Sequence, residues 1–211
     1  MPTLDKNKYA IALHTSTPQL GIAVNNYAGD SRSQIWDLGR GLASGLHQHL
    51  ADILQPQTWQ DLEFIAVAKG PGGFTGTRVG VVTARTIAQQ LDIPLFGISN
   101  LAAVAAQNIK DRAKELIAVQ MNARREQLFV GIYRVNEHGL ETYLQDTLMT
   151  QAEWQKTLNE LQASYCLVNA DGSIAASVTN ILDLARAEWQ RGQQPYWSEV
   201  VPYYGQHPVA R

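Results

Sequence analysis

Short apolar runs alternate with amphipathic stretches along the first hundred residues. Tyr9–Leu13 (YAIAL) is apolar throughout and predicts a buried strand. Leu20–Val24 follows across the turn-forming STPQ, which predicts a hairpin. Ser33–Leu38 alternates enough to be a third strand. Leu42, Leu46, Leu50, Ile53 and Leu54 then recur at helical spacing, in a helix that Pro56 closes off. Phe64–Ala68 (FIAVA) predicts a buried strand, Thr77–Leu91 a helix, Leu95–Ile98 a strand and Asn100–Asn108 a helix. A hairpin followed by strand–helix alternation predicts a layered α/β domain.

A second unit begins near residue 105. Leu116–Met121 and Gln127–Val135 predict strands separated by the polar NARRE. Ala152–Leu161 predicts a helix, Tyr165–Val168 a strand and Asp171–Ser173 (DGS) a turn. A closing helix covers Ile174–Gln190, its first third rich in Ser, Val and Thr. The tail, with Pro195, Pro202 and Pro208, predicts irregular structure, and residues 136–151 are left without an element. The division is thus 1–104 and 105–211, two units packed against each other.

Composition narrows the function classes. The 211 residues are 45% hydrophobic and 17% charged, a globular composition, and the formal net charge is −2. A protein that holds nucleic acid alone usually carries a basic face, because phosphate contacts supply most of that affinity. Any nucleic-acid role here is expected to run through a partner. The single cysteine, Cys166, excludes a disulfide framework and reads as a small buried hydrophobe in a strand. The polar start MPTLDKNK lacks the apolar core of a signal peptide, and no apolar run reaches the roughly 20 residues of a membrane span. The chain reads as a soluble cytoplasmic protein.

The stretch Lys69–Gly80, KGPGGFTGTRVG, carries five glycines between a strand and a helix. A P-loop needs two glycines five positions apart, then Lys and Ser or Thr. Here Gly70 and Gly76 are six apart and no lysine follows. The dinucleotide fingerprint fails too, since Gly70 and Gly72 are followed by Thr75 at the sixth position. Gly70, Pro71, Gly72, Gly73 and Gly76 still make a turn with several positions free to take positive φ. Thr75 or Thr77 is a candidate cap for the next helix. Arg78 sits in its first turn, where a cation opposes the helix dipole, so it is either solvated or matched by an outside partner. Gly80, Ala84 and Ala88 form a smooth stripe that admits another backbone, whether a sheet of this chain or a helix of another.

Other catalytic patterns are missing. His47 and His49 are two apart on a helix and cannot share a metal ion. His14 ends the first strand beside Thr15, Ser16 and Thr17, as a structural histidine or an acid–base group. There is no GxSxG elbow.

Taken together, these residues resemble a known family. IALHTSTPQLGIAV resembles the opening hairpin of the actin-like, sugar-kinase and Hsp70-type ATPase superfamily. The stretch from LEFIAVAKGPGGFTGTRVG to IPLFGISNLAAVA resembles the TsaB (YeaZ) family, whose pattern is a strand, GPGSFTGxRxG, a helix and IPxxGxSSLxxxA. MNARREQLFVGIYRV is similar to its DARRxEVY segment and NADGSI to its late GDG turn. The resemblance covers most of the chain and fades in the last twenty residues. It implies a two-lobed actin-like (ribonuclease H-like) α/β fold, with mixed sheets flanked by helices. It also implies a non-catalytic subunit in synthesis of threonylcarbamoyladenosine on tRNA, at the adenosine next to the anticodon in tRNAs reading codons that begin with A. The implied partners are the catalytic subunit TsaD and the ATPase TsaE, with tRNA held mainly through the complex and a homodimer also available. ATP or ADP and the metal ion belong to the partners, and this chain has no cofactor of its own. Partner binding is carried onto Leu42–Leu54 and Thr77–Leu91, hence onto Leu46, Leu50, Arg78, Gly80, Ala84 and Ala88.

Three departures bear on chemistry. His14 stands where the family has the aspartate that, in ATPase relatives, helps organise metal and phosphates. Gly73 replaces a serine. Asn122, Glu126 and Gln127 replace an acid, a small residue and an acid, while Arg124 and Arg125 remain. The rival expectation is an enzyme, a divergent ATP-dependent phosphotransferase or glycoprotease-like hydrolase dependent on Asp171.

Overall fold

The computed structural model describes residues 5–109, 115–136, 139–172 and 174–205. Its elements are β1 (Tyr9–His14), β2 (Gln19–Asn25), β3 (Ser31–Asp37), α1 (Leu42–Leu54), β4 (Leu62–Ala68), α2 (Phe74–Leu91), β5 (Leu95–Ile98) and α3 (Asn100–Gln107). After residue 115 come β6 (Leu116–Asn122), β7 (Gln127–Asn136), β8 (Gly139–Thr150), α4 (Gln151–Glu160), β9 (Tyr165–Asn169) and α5 (Val178–Gln190).

Two mixed sheets organise the chain. The first has the order β3-β2-β1-β4-β5, with β1 antiparallel to β2 and parallel to β4. The second has the order β8-β7-β6-β9, with β6 antiparallel to β7 and parallel to β9. Strand alternation sorts their cores. Ile11, Leu13, Ile65 and Val67 pack against Leu46, Leu50 and Leu54 of α1 and Val81, Ala84 and Ala88 of α2. Ala10, Ala12, Phe64 and Ala66, on the opposite face, meet Val178, Ile181, Leu182, Ala185 and Trp189 of α5. The second sheet receives Leu101 and Val104 of α3 on one face and Trp154 and Leu158 of α4 on the other. The layers run α1/α2, sheet, α5/α3, sheet, α4, a two-lobed α/β arrangement of mixed sheets flanked by helices.

Several expectations are corrected. β8 was unassigned because it is a half-exposed edge strand, and its bulged pairing with β7 disturbs the alternation. α2 starts at Phe74, not Thr77: Gly73 is the N-cap in extended backbone, without a side-chain cap. Neither Thr75 nor Thr77 caps, and Thr77 Oγ1 donates back to the Gly73 carbonyl at 2.9 Å. The first third of the closing helix is a 3-10 turn, Ile174–Ser177, ahead of α5. Cys166 lies in β9 as expected but is half-buried. The line between residues 104 and 105 does not divide the packing, because α5 returns to cover the first sheet. Ser173 of the DGS turn, Pro208 of the tail and the first four residues lie outside the described residues.

The smooth stripe of α2 packs inside the chain. Gly80 is buried, and Ala84 and Ala88 are 0% exposed. A Cβ on Gly80 would collide with Oγ1 of Thr15. Leu46 and Leu50 are also buried, at 0% and 1% exposure. Five of the six positions expected at a partner surface therefore belong to this chain's own core, and Arg78 alone of them is exposed.

Substitution should show this directly. Gly80→Ala forces Thr15 aside, an overpacking that costs about 1–3 kcal/mol. Ala84→Glu places an unpaired carboxylate in the core, at a penalty of roughly several kcal/mol. Thermal denaturation of the isolated protein should register both as losses of stability, the second larger. Wild-type melting curves for both would return the stripe to the surface.

Candidate functional site between the two lobes

The parallel pairing of β1 with β4 and of β6 with β9 aims two strand ends the same way within each sheet, four in all. In open α/β sheets, ligands settle in the crevice outside such carboxyl ends. Here the segments after β1, β4, β6 and β9 line one cleft of about 870 Å³. They contribute Thr15–Thr17, Gly72–Gly76, Asn122 with Arg124, and Ala170–Gly172; Arg40 and Leu42 close one side near the start of α1.

The glycine loop forms one wall by lying flush against the turn after β1. Gly73 N–H donates to the Ser16 carbonyl at 2.8 Å, and Thr15 Oγ1 donates to the Gly76 carbonyl at 2.8 Å. A Cβ on Gly72 would stand 2.7 Å from Ser16 Cβ, and one on Gly76 would collide with the Thr15 carbonyl. Gly70, at φ +104, takes a left-handed backbone open to few other residues, with the Tyr203 carbonyl against it. The glycines serve close approach and turn geometry. Across the cleft, Arg125 and Glu126 both hold positive φ, at 60° and 57°, in the tight turn between β6 and β7. Non-glycine residues pay about 1–3 kcal/mol each for such backbone, which marks a turn held by its surroundings.

The chemistry of the lining is sparse. A divalent cation on phosphates takes several oxygen ligands. The cleft offers one carboxylate, Asp171, and no lysine; its cations are Arg40 and Arg124. Among the described residues, no three His, Cys, Asp or Glu side chains group closely enough to hold a metal ion. This donor set does not fit a metal–nucleotide complex. One hydroxyl does look for a partner: Ser16 Oγ is buried at the cleft floor without a hydrogen bond among the described residues.

His14 is the decisive departure. Alternation with Ala10 and Ala12 turns it toward the face that α5 covers, away from the cleft. Its side chain is fully buried, and among the described residues neither ring nitrogen has a hydrogen-bond partner. Burial disfavours the imidazolium and lowers the pKa from 6.5 to about 4. Of the two readings open in the sequence, the structural one stands. His49 is likewise accounted for by stacking on Trp36, with ring centroids 4.5 Å apart.

Comparison with known proteins agrees with this architecture. The family model for TsaD, tRNA N6-adenosine threonylcarbamoyltransferase, matches residues 48–186, well over half of the chain. The TsaB protein of Bacillus subtilis is 37% identical over 115 residues, covering 54% of this chain and 49% of that protein. That of Buchnera aphidicola (Schizaphis graminum) is 39% identical over 79 residues, 37% of this chain and 38% of its own. The solved structure of YeaZ from Pseudomonas aeruginosa superposes with a TM-score of 0.76 at 21% identity, over 93% of this chain and 100% of that one. The chain belongs to the family that the TsaD model describes. It spans about half the length, or less, of the curated relatives it matches, while the YeaZ fold is matched throughout.

Sequence reasoning identified the glycine loop, His14, Arg124 and Asp171 as notable. It missed the cleft roles of Ser16 and Arg40, whose segments meet only when the strand ends converge. The signal available was positional: each follows a predicted strand or precedes a predicted helix.

A pH dependence follows from His14. The unfolded chain binds a proton there near pH 6.5, whereas the native state resists until about pH 4. The unfolded state thus holds more protons across that window, and native stability falls as pH falls through it. From pH 7 to pH 5 the loss from this one group is about 2 kcal/mol. Urea denaturation at the two pH values should show a smaller difference in His14→Leu than in the wild type. Equal differences would mean that His14 takes up its proton in the fold over the same pH range as in the unfolded chain.

Proposed function

We propose that this chain is a non-catalytic subunit in the synthesis of threonylcarbamoyladenosine on tRNA. In this reading it pairs with a TsaD-type transferase and works with a TsaE-type ATPase, both of which bring the nucleotide and metal ion. The observation that carries it is the cleft's donor set: the first strand ends in a buried neutral histidine, and one carboxylate remains in the lining. The curated relatives are named as tRNA threonylcarbamoyladenosine biosynthesis proteins, which supports the pathway. A net charge of −2 supports an arrangement in which partners hold the tRNA. The reading implies a cytoplasmic protein; no helix among the described residues is long and apolar enough to cross a membrane.

The partner surface moves to the outward face of α2. Phe74, Arg78 and Val82 follow one another at intervals of four, so they share a stripe. Phe74, at the rim of the cleft with its ring tilted against that of Tyr204, is 38% exposed, Val82 is 53% exposed, and Arg78 lies exposed between them. A central arginine flanked by apolar groups fits the composition of binding hot spots. The same stripe is available to a second copy of the chain.

Reconstitution tests the reading. The protein is mixed with the TsaD-type and TsaE-type proteins of its own organism, the threonylcarbamoyl-adenylate donor, ATP and unmodified tRNA. Modified adenosine should form only when the chain is present, and full activity without it would defeat the proposal. The family model describes a transferase, so the pure chain is also assayed for ATP hydrolysis. Turnover that Asp171→Ala abolishes would favour the enzymatic alternative.

Pairing has its own test. Arg78→Ala should weaken association with the transferase by about 1–3 kcal/mol if Arg78 makes a charge-assisted contact. Val82→Glu should weaken it further, and both variants should melt like the wild type. Unchanged affinity in both would move the interface off this face.

A further inference from the structure

A second cavity, of about 330 Å³, opens along the seam where β4 and β5 meet β7, β8, α5 and the tail. Its polar wall carries Lys69 from the end of β4, Asp146 from β8 and Glu188 from α5. The Asp146 carboxylate is fixed in place, accepting hydrogen bonds from Tyr133 Oη and Ser99 Oγ. Tyr203 Oη donates to the Asp146 backbone carbonyl at 3.0 Å and holds that strand from the other side. Lys69 lays its stem beside Gly97, where a Cβ would stand 3.3 Å from Lys69 Cδ. Any larger residue at position 97 would crowd that stem.

These charges face one another without pairing. Among the described residues, no ion pair joins Lys69 to Asp146 or Glu188. Burial pushes both carboxyl groups up from their ordinary range; the hydrogen bonds from Ser99 and Tyr133 and then the charge of Lys69 oppose this at Asp146, and the charges of Arg191 and then Lys69 oppose it at Glu188. An ammonium and two carboxylates are thus held apart around one small cavity. A divalent cation is disfavoured by the lysine, and a phosphate by the two carboxylates. The remaining wall is mixed, with the apolar groups of Ile98, Ala102, Leu140 and Leu184 beside the uncharged polar side chains of Thr142 and Gln145. The cavity lies at the small end of the roughly 300–1,000 Å³ range of ligand sites, the scale of a single metabolite of low mass.

A molecule complementary to this arrangement carries a carboxylate and an ammonium on one small frame and turns an apolar group to the apolar part of the wall. We propose that the seam cavity binds a free α-amino acid with a small or aliphatic side chain, its carboxylate on Lys69 and its ammonium on Glu188 and Asp146. The site is separate from the interlobe cleft and stands independently of the subunit reading.

Titration calorimetry on the full chain tests it with alanine, serine, threonine, valine, leucine and isoleucine in turn. For each amino acid that binds, two controls follow: the matching carboxylic acid without the amine, and the matching amine without the carboxylate. At least one amino acid should bind while both of its controls fail. Lys69→Met and Glu188→Gln should each weaken binding by about tenfold or more, as loss of a charge-assisted contact does. Melting curves check that both variants are folded; if Lys69→Met is not, Lys69→Gln replaces it. Silence from all six amino acids overturns the proposal. So does equal binding by either control, or full affinity in both variants.

Discussion

The close approach of α2 and its glycine loop to the turn after β1 is the constraint from which the rest of the first lobe follows. Gly72, Gly76 and Gly80 each face Thr15 or Ser16 where a methyl group would clash. Two hydrogen bonds across that contact, from Gly73 N–H and Thr15 Oγ1, fix the loop's height on the strand end. Once the helix is pinned there, its rotation is set as well. Ala84 and Ala88 must turn inward, and Phe74, Arg78 and Val82 must turn outward. One steric requirement therefore decides the cleft floor, the core face and the outer stripe together.

Legibility in the sequence followed burial. The runs Tyr9–Leu13 in β1 and Phe64–Ala68 in β4 are apolar throughout, and α1 carries leucines on a single face, so hydrophobic pattern alone located them. β8 has no such signature, because an edge strand with half-exposed residues on both faces leaves its period without contrast. The start of α2 was hidden for a different reason. Its N-cap is a glycine that contributes backbone shape and no side-chain oxygen, so the usual cue was absent. The small-residue stripe could not be read from spacing at all, since a sheet beneath the helix and a helix beside it ask for the same residues.

The site was legible in motif and illegible in assembly. KGPGGFTGTRVG announced a special backbone, and His14 announced a missing acid. That Ser16, Arg40, Asn122 and Asp171 border one space depends on four strand ends distant in the chain. Polar groups have also been distributed unevenly between the two concave regions. The large cleft is poor in carboxylates, whereas the small seam cavity holds two of them with a lysine. Large volume and dense chemistry do not coincide in this molecule.

Tyr203 has a mechanical consequence. Its backbone N–H donates to the Lys69 carbonyl at 2.7 Å, at the end of a first-sheet strand, while its hydroxyl reaches β8 of the second sheet. One residue near the end of the described chain, through its backbone and its side chain, thus spans the joint like a tie-rod. Swinging one sheet away from the other lengthens that tie unless one of its two hydrogen bonds lets go. The width of the gap between the sheets is therefore governed partly by a residue that borders neither wall of the large cleft.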